Sequence, residues 1–457
     1  MIRELPEPFS IRMQQQLQTG FNEYVAAIGA DAPVSLRINP EKIKTTLPYP
    51  KVAWCNDGYY LPARPVFTFD PLFQAGAYYV QEAASMFTGY ALQQINPQNK
   101  AIKVLDLCAA PGGKSTQLVS TISKDSLLVA NEVIKTRVGV LRDNLEKWGY
   151  PNTIVTNNDP KDFEALEGFF DVVVCDAPCS GEGLFRKEPE SVKEWSEANV
   201  QLCSQRQQRI LVSAIKTLKD GGHLIYSTCT HAPEENELNV EWMCREFGLE
   251  EVKLTLPQGA GIVESNIGYR FYPHLVKAEG FYCAVLQKKG DNETKLSRTK
   301  KPLFIAARKI GAELSNYFSA DYPLAFFERN IMWCAFPAKY DEDLNLLAEK
   351  LYIVSFGTET GELMKGELLP AQGLANSIIR NKEIFESYEL EITEAVKYLR
   401  KDAIFDDSGI KGWKLATFQG IGLGYFKNLG NRTNNYFPKE RRILKTPLQE
   451  EIGTLTM

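Results

Sequence analysis

The stretch VLDLCAAPGGKSTQL, residues 104–118, decides the fold. An apolar run ends on Asp106, a loop of small residues runs from Cys108 to Gly113, and a helical pattern starts near Lys114. Such a strand, loop and helix begin a parallel α/β sheet and present a ligand at its edge. Small residues let the main chain approach the ligand closely, and the helix N-terminus offers free N–H groups to a carboxylate or phosphate. The loop is neither GxxxxGK(S/T) nor GxGxxG, which disfavours a P-loop hydrolase and an ordinary dinucleotide enzyme. Alone, it is equally well ordinary strand-to-helix geometry.

Outward from this unit the alternation continues. KVLDLCA (103–109), LLVANEV (127–133), TIVTNND (153–159), DVVVCDAP (171–178) and HLIYSTC (223–229) read as strands, and FYCAVLQKK (281–289) as a last one. KSTQLVSTI, TRVGVLRDNLEKW, the stretch from Trp195 to Lys219 and PEENELNVEWMCREF read as helices. Right-handed βαβ crossovers then build a doubly wound, Rossmann-like sheet. Glu132 ends the second strand, where a carboxylate holds both hydroxyls of a ribose, and Asp159 ends the third, where it could meet an adenine amino group. Acids at these places make an adenosine ligand the natural reading. The candidate cofactor site is Cys108, Ala109, Ala110, Pro111, Gly112, Gly113 and Lys114 with Glu132, Asp159 and Asp176. Arg137 and Asn144, near neighbours on one helix, are either a surface or packing pair or help to shape this site.

Two cysteine segments complete the edge. FFDVVVCDAPCSGEG (169–183) carries Cys179 behind Asp176, and GGHLIYSTCTHAPEEN (221–236) carries Cys229 between two threonines. Each follows a β-rich run and sits in its polar end, so both thiols emerge at one carboxyl edge. The other cysteines are expected to pack, and His231 and His274 to be structural.

Composition sets bounds. A chain of 457 residues exceeds one ordinary core. Nine scattered cysteines without CxxC pairs suggest reduced thiols, and with three histidines no zinc spacing is found, so no metal is expected. The N-terminus, MIRELPEPFSIRMQQQ, lacks a basic-then-apolar signal, and no apolar run is long enough to span a bilayer, which together suggest a soluble, cytoplasmic protein. A net charge of −5 restricts any RNA contact to local patches. The expected organisation is an N-terminal α+β module at 1–95, the α/β core at 96–289, an exposed polar linker at 290–301, an intermediate region at 302–380 and a C-terminal domain at 381–457. Within the first module, YYVQEAASMFTGYALQQI (78–95) reads as a helix.

CAAPGGK, DAPCSGEG and STCTHAPEEN, in this order and spacing, resemble the Nop/Sun family of S-adenosylmethionine-dependent RNA cytosine-5 methyltransferases. The likeness extends to RxNP at Arg37, to RFYPHLVKAEGFY (270–282), where Ala278 replaces the family's usual glycine, and through KGELLPAQGLANS, YLRKDAIF and KGWKLATFQGIGLGYFKNLGNRTNNYFPKERRI to bacterial members acting on small-subunit rRNA. It implies S-adenosylmethionine as cofactor, an RNA-binding N-terminal module and a PUA-like C-terminal RNA-binding domain. It also implies that Cys229 is the nucleophile, that Cys179 assists product release, and that Asp176 holds the protonated ring nitrogen or amino group of the base. A free thiol has a pKa near 8.5, so a basic neighbour should favour the thiolate. Lys187 is a candidate for that, or for a phosphate contact.

The tail NLGNRTNNYFPKERRILK gathers Lys427, Arg432, Lys439, Arg441, Arg442 and Lys445 in and beside it among asparagines and aromatics. On composition alone this is a solvated terminus; with the resemblance it becomes a surface for phosphates and bases. The expected partner is rRNA of the small ribosomal subunit, bound by a monomer without membrane attachment. Rival readings are a tRNA methyltransferase of the same family, a ribosome-assembly factor without turnover, and a DNA cytosine enzyme.

Overall fold

A computed structural model describes residues 5–188, 190–291, 299, 301–406 and 408–455. Two helices, Glu7–Leu17 and Phe21–Gly29, open the chain and bury Phe9, Met13, Tyr24 and Ile28. A small antiparallel sheet follows, with β1 (Val34–Ile38), β2 (Lys51–Val52), β3 (Cys55–Leu61) and β4 (Tyr78–Tyr79) in the order β2-β3-β1-β4. The helix expected at 78–95 begins only at Phe87. Its first residues are instead β4, because Tyr79 pairs with Arg37 of β1 and the buried Tyr78 hydroxyl donates to Asp70 at 2.7 Å. Tertiary pairing overrides the helical pattern there.

The core sheet carries β5 (Lys103–Asp106), β6 (Leu127–Asn131), β7 (Thr153–Thr156), β8 (Phe170–Asp176), β9 (Leu218–Thr228), β10 (Leu249–Glu251), β11 (Val263–Glu264), β12 (Tyr269–Phe271) and β13 (Phe281–Lys288). β5 lies at the centre, parallel to β6 on one side and β8 on the other. The chain winds outward through β6 and β7, returns to β8, and winds outward again through β9, while β13 closes antiparallel to β9. This is the expected doubly wound sheet, and its switch point lies between β5 and β8, where such sheets hold their ligands. Helices Gly113–Thr121, Lys135–Trp148, Glu197–Thr217 and Glu237–Phe247 cover it.

Beyond the core come β14 (Leu324–Arg329), β15 (Met332–Pro337), β16 (Ile353–Phe356), β17 (Thr358–Met364) and β18 (Glu367–Pro370). β16 pairs antiparallel with β7 and so extends the core sheet, and Phe327, Phe336, Leu344 and Phe356 share one apolar cluster with Leu105, Val129 and Val173. Part of the region between the core and the C-terminal domain therefore packs against the core, while Leu314, Phe326, Trp333 and Leu374 cluster with Leu415 and Tyr425 nearer the C-terminus. Of the expected linker, residues 292–298 and 300 lie outside the described residues.

The last sheet holds β19 (Glu386–Glu389), β20 (Gly412–Phe418), β21 (Ile421–Asn428) and β22 (Thr433–Asn435). Its apolar side does not close on itself: Val396, Leu399, Phe426 and Ile443 share a cluster with Leu36, Ile38, Phe69 and Tyr78 of the N-terminal sheet. The two ends of the chain thus meet in one core. Among the described residues no helix is long and apolar enough to cross a membrane, and no group of three or more metal-ligating side chains assembles.

Candidate active site at the carboxyl edge of the sheet

β8 and β9 run parallel with Asp176 opposite Ser227, so the loops that follow them leave the sheet side by side. The Sγ atoms of Cys179 and Cys229 lie 3.1 Å apart, and the Cys229 N–H points at Cys179 Sγ at 3.3 Å. Both thiols are partly exposed. The hydrogen bond to the Cys229 sulfur, then burial, then the charges of Cys229 and Glu235 push the Cys179 thiol well above its ordinary pKa. Cys179 therefore carries its proton at neutral pH.

Asp176 sits beneath the pair. Its Oδ2 accepts from Lys114 Nζ at 2.8 Å and its Oδ1 from the Ser227 hydroxyl at 2.7 Å. Burial alone would lower the pKa of Lys114, but the ion pair and hydrogen bond with Asp176, with a contribution from Cys229, raise it. The cation paired with Asp176 beside the two cysteines is thus Lys114 of the glycine loop. Lys187 is exposed.

The glycine loop leaves β5 beside these groups. Gly112 has a φ of +111°, a conformation that favours glycine, and a Cβ on Gly113 would sit 3.2 Å from the Tyr79 ring. Arg137 donates to the Ala110 carbonyl at 2.7 Å and Asn144 to the Pro111 carbonyl at 2.9 Å, so this pair clamps the loop from the next helix. Cys108 packs against Cys175; that hydrogen bond and burial push its thiol well above the ordinary range. Asp106 is fully buried, with Oδ2 accepting from Ser115 at 2.6 Å and Oδ1 unpaired, and burial raises its pKa to about 7. Glu132 is buried at the end of β6, where it accepts from the Ile134 N–H at 2.9 Å. An unpaired buried acceptor, three carboxylates and a helix N-terminus at one switch point suit a ligand that joins an ammonium, a carboxylate and a ribose diol. Asp159 is different: β7 ends at Thr156, and Asp159 caps the following turn through the Lys161 N–H and pairs with Arg209 at 3.2 Å.

Three buried groups at this site carry no signal in the sequence beyond their motifs. Glu235 is fully buried, accepts from the Ser180 N–H at 3.0 Å and from Gln207 Nε2 at 2.7 Å, and burial raises its pKa to about 7. Glu182 takes Arg12 from the first helix. Arg37, from the N-terminal sheet, reaches under the glycine loop to Thr116 Oγ1 at 2.7 Å. His231 is buried and stacked on Tyr272 at 5.1 Å, with its pKa held well below the ordinary value by burial and by Arg270.

Three family models match the chain in order. One for the N-terminal domain of 16S rRNA methyltransferase RsmF covers residues 5–83, one for 16S rRNA methyltransferase RsmB/F covers 92–287, and one for the methyltransferase RsmF PUA domain covers 385–443. The chain belongs to the RsmB/F family of 16S rRNA methyltransferases. It is 31% identical over 437 residues to ribosomal RNA small subunit methyltransferase F of Shewanella woodyi, spanning 89% of this chain and 90% of the relative. The same enzyme of Vibrio cholerae serotype O1 is 30% identical over 470 residues, spanning 95% and 97%. Among solved structures, a methyltransferase homolog protein from Pyrococcus horikoshii is 26% identical with a TM-score of 0.50, over 62% of this chain and all (100%) of that one. NSun6 from Pyrococcus horikoshii, 20% identical with a TM-score of 0.55 over 64% of this chain and 100% of its own, shares the fold. Membership carries the cofactor expected from the sequence, S-adenosylmethionine, and the residues at the switch point fit it.

In an RsmB/F methyltransferase with a PUA domain, the basic tail is the expected RNA surface, and the structure redistributes its charges. Arg441 is not free for phosphate: it is partly buried and held between Asp143 and Glu146 of the Lys135–Trp148 helix, at 2.9 Å from each. Lys427 pairs with Glu367 and Lys445 with Glu451. Arg432 and Lys439 are exposed. The sequence displayed the charges but not their partners, which come from distant segments.

Proposed function

We propose that this methyltransferase transfers a methyl group from S-adenosylmethionine to carbon 5 of a cytosine in small-subunit rRNA, through a covalent adduct of Cys229. The observation that carries the reading is the 3.1 Å contact of Cys179 and Cys229 above the Lys114–Asp176 ion pair. A single thiol serves many purposes. A protonated thiol beside a second one, next to a carboxylate and a cofactor loop, is what a reaction needs that first adds a sulfur and later expels it.

Carbon 5 of cytosine is too weak a nucleophile to attack a sulfonium. Addition of the Cys229 thiolate at carbon 6 places electron density on carbon 5 as ring nitrogen 3 takes a proton from water, and Asp176 accepts a hydrogen bond from the new N–H. Bound at the glycine loop, with Glu132 on its ribose and Asp106 toward its ammonium, S-adenosylmethionine supplies the electrophilic methyl. Lys114 holds Asp176 in place through their 2.8 Å ion pair. Once the Cys229 sulfur is bonded to carbon 6 it no longer holds the Cys179 proton, so Cys179 gives that proton to water. Its thiolate then takes the carbon 5 proton as the carbon 6–sulfur bond breaks, Cys229 leaves as a thiolate and nitrogen 3 returns its proton to water. The target base must be unstacked to reach the edge, at a cost of a few kcal/mol, which contacts by the joined N- and C-terminal sheets offset.

Bisulfite sequencing of small-subunit rRNA, before and after incubation of unmodified subunits with the protein and S-adenosylmethionine, tests this reading. New protection at a discrete cytosine is expected. Methyl incorporation without any protected cytosine would overturn it.

A further inference from the structure

Glu182 lies three residues beyond Cys179 and is buried to 1% exposure, yet it ties together three separate elements. Its Oε1 accepts from Arg12 of the first helix at 2.5 Å and from the Trp195 indole N–H at 2.8 Å. Its Oε2 accepts from the main-chain N–H of His231, two residues beyond Cys229, at 3.1 Å. The next residue, Gly183, donates its own N–H to the Cys229 carbonyl at 2.8 Å. A Cβ on Gly183 would stand 2.2 Å from the Gly280 carbonyl oxygen and 2.8 Å from that of Cys229, so only glycine fits this seam. Cys229 is thereby bracketed by two adjacent residues of the opposite loop, one through its own carbonyl and one through the N–H of His231.

A buried carboxylate needs a partner, and removing that partner costs far more than the net worth of the pair. Here the partner comes from the N-terminal module: Arg12 is four-fifths buried, and its guanidinium lies 5.5 Å from the Phe9 ring and 5.8 Å from the Trp195 ring. Gln16, one turn further along the same helix, also reaches the His231 carbonyl, at 3.4 Å. The first helix thus touches the Cys229 loop directly and through Glu182.

We infer that Arg12 and Glu182 are positioning residues, which couple the N-terminal helix to the placement of the Cys229 loop against Cys179. The role in turnover rests on the reading proposed above; the placement of the two sulfurs does not. In the wild-type protein Glu182 fixes the height of the Cys229 loop, and Arg12 fixes Glu182.

The test uses the full-length protein with Arg12→Met, Arg12→Lys and Glu182→Gln, and two readouts. The first is peptide mapping of iodoacetamide labelling at neutral pH without RNA or cofactor. Cys179 should be protected in the wild type and labelled about tenfold faster or more in Arg12→Met, because a displaced loop removes the sulfur that holds its proton. The second is steady-state methylation of small-subunit rRNA: Arg12→Met and Glu182→Gln should lower kcat by about tenfold or more, with KM for RNA within about twofold. Arg12→Lys, which keeps the charge with fewer donors, should recover part of both effects, and it decides the question if Arg12→Met does not fold. Wild-type labelling and kcat in these variants would overturn the inference, as would a loss confined to KM, which would make Arg12 an RNA contact. If the wild type methylates no cytosine, the proposed function fails, while the labelling still decides the positioning role.

Discussion

The sulfur of Cys179 lies 3.1 Å from that of Cys229, although fifty residues separate them in the chain. The contact follows from one structural fact, the parallel pairing of β8 with β9 that sets Asp176 opposite Ser227. Its chemical consequence is unequal: Cys179 is held protonated first by its hydrogen bond with the Cys229 sulfur.

That inequality is measurable. Iodoacetamide at neutral pH should spare Cys179, which gains reactivity only as the pH rises. In Cys229→Ala the leading cause of the upward shift is gone, so the Cys179 pKa falls and its labelling at neutral pH accelerates, read by mass mapping of the peptides. Unchanged Cys179 reactivity in that variant would detach the two sulfurs.

The cofactor site separates two acids. Glu132→Ala should weaken S-adenosylmethionine binding by about 1.5–3 kcal/mol, the range for a hydrogen bond to a charged group. Asp159→Ala should change it by less than about 0.5 kcal/mol, because Asp159 caps a turn and faces Arg209. Titration calorimetry checks both.

Stability should fall as pH rises. Burial raises the folded pKa of Glu235 from 4.5 to about 7, and that of Asp106 from 3.8 to about 7. The folded state then binds more protons than the unfolded state between these values, so stability present at low pH is lost as pH rises through the window, by up to about 3 kcal/mol for Glu235. Glu235→Gln should flatten the melting temperature between about pH 4.5 and pH 7. An unchanged slope would contradict the shift.

The tail cations divide by partner. Arg441→Ala leaves Asp143 and Glu146 uncompensated and should cost about 3 kcal/mol in denaturant unfolding. Arg432→Ala and Lys439→Ala should leave stability within about 0.5 kcal/mol and each reduce the salt slope of RNA binding by about one.

Much of this was legible in the sequence, for reasons that differ by element. The β-rich apolar runs and helical patterns from 103 to 289 are local, and they marked the strands whose ends carry Asp106, Glu132 and Asp176. The two cysteines were legible because their loops are polar and follow apolar strands. The helix expected at Tyr78 failed because pairing with Arg37 is long-range. Arg12 gave no pattern, and Glu182 and Glu235 none beyond the motifs they sit in; their meaning lies in partners brought together by folding, as does the pairing of Arg441. Lys114 was visible as a loop residue, whereas its pairing with Asp176, 62 residues away, was not.

The covalent adduct tests the central claim most directly. Small-subunit rRNA and S-adenosylmethionine are incubated with wild-type, Cys229→Ala and Cys179→Ala protein, and each mixture is run on a denaturing gel with and without RNase. The account predicts a persistent, RNase-sensitive protein–RNA band in Cys179→Ala, where the adduct forms and is not resolved, and neither band nor methylation in Cys229→Ala. A persistent band in Cys229→Ala with none in Cys179→Ala would contradict it and make Cys179 the nucleophile.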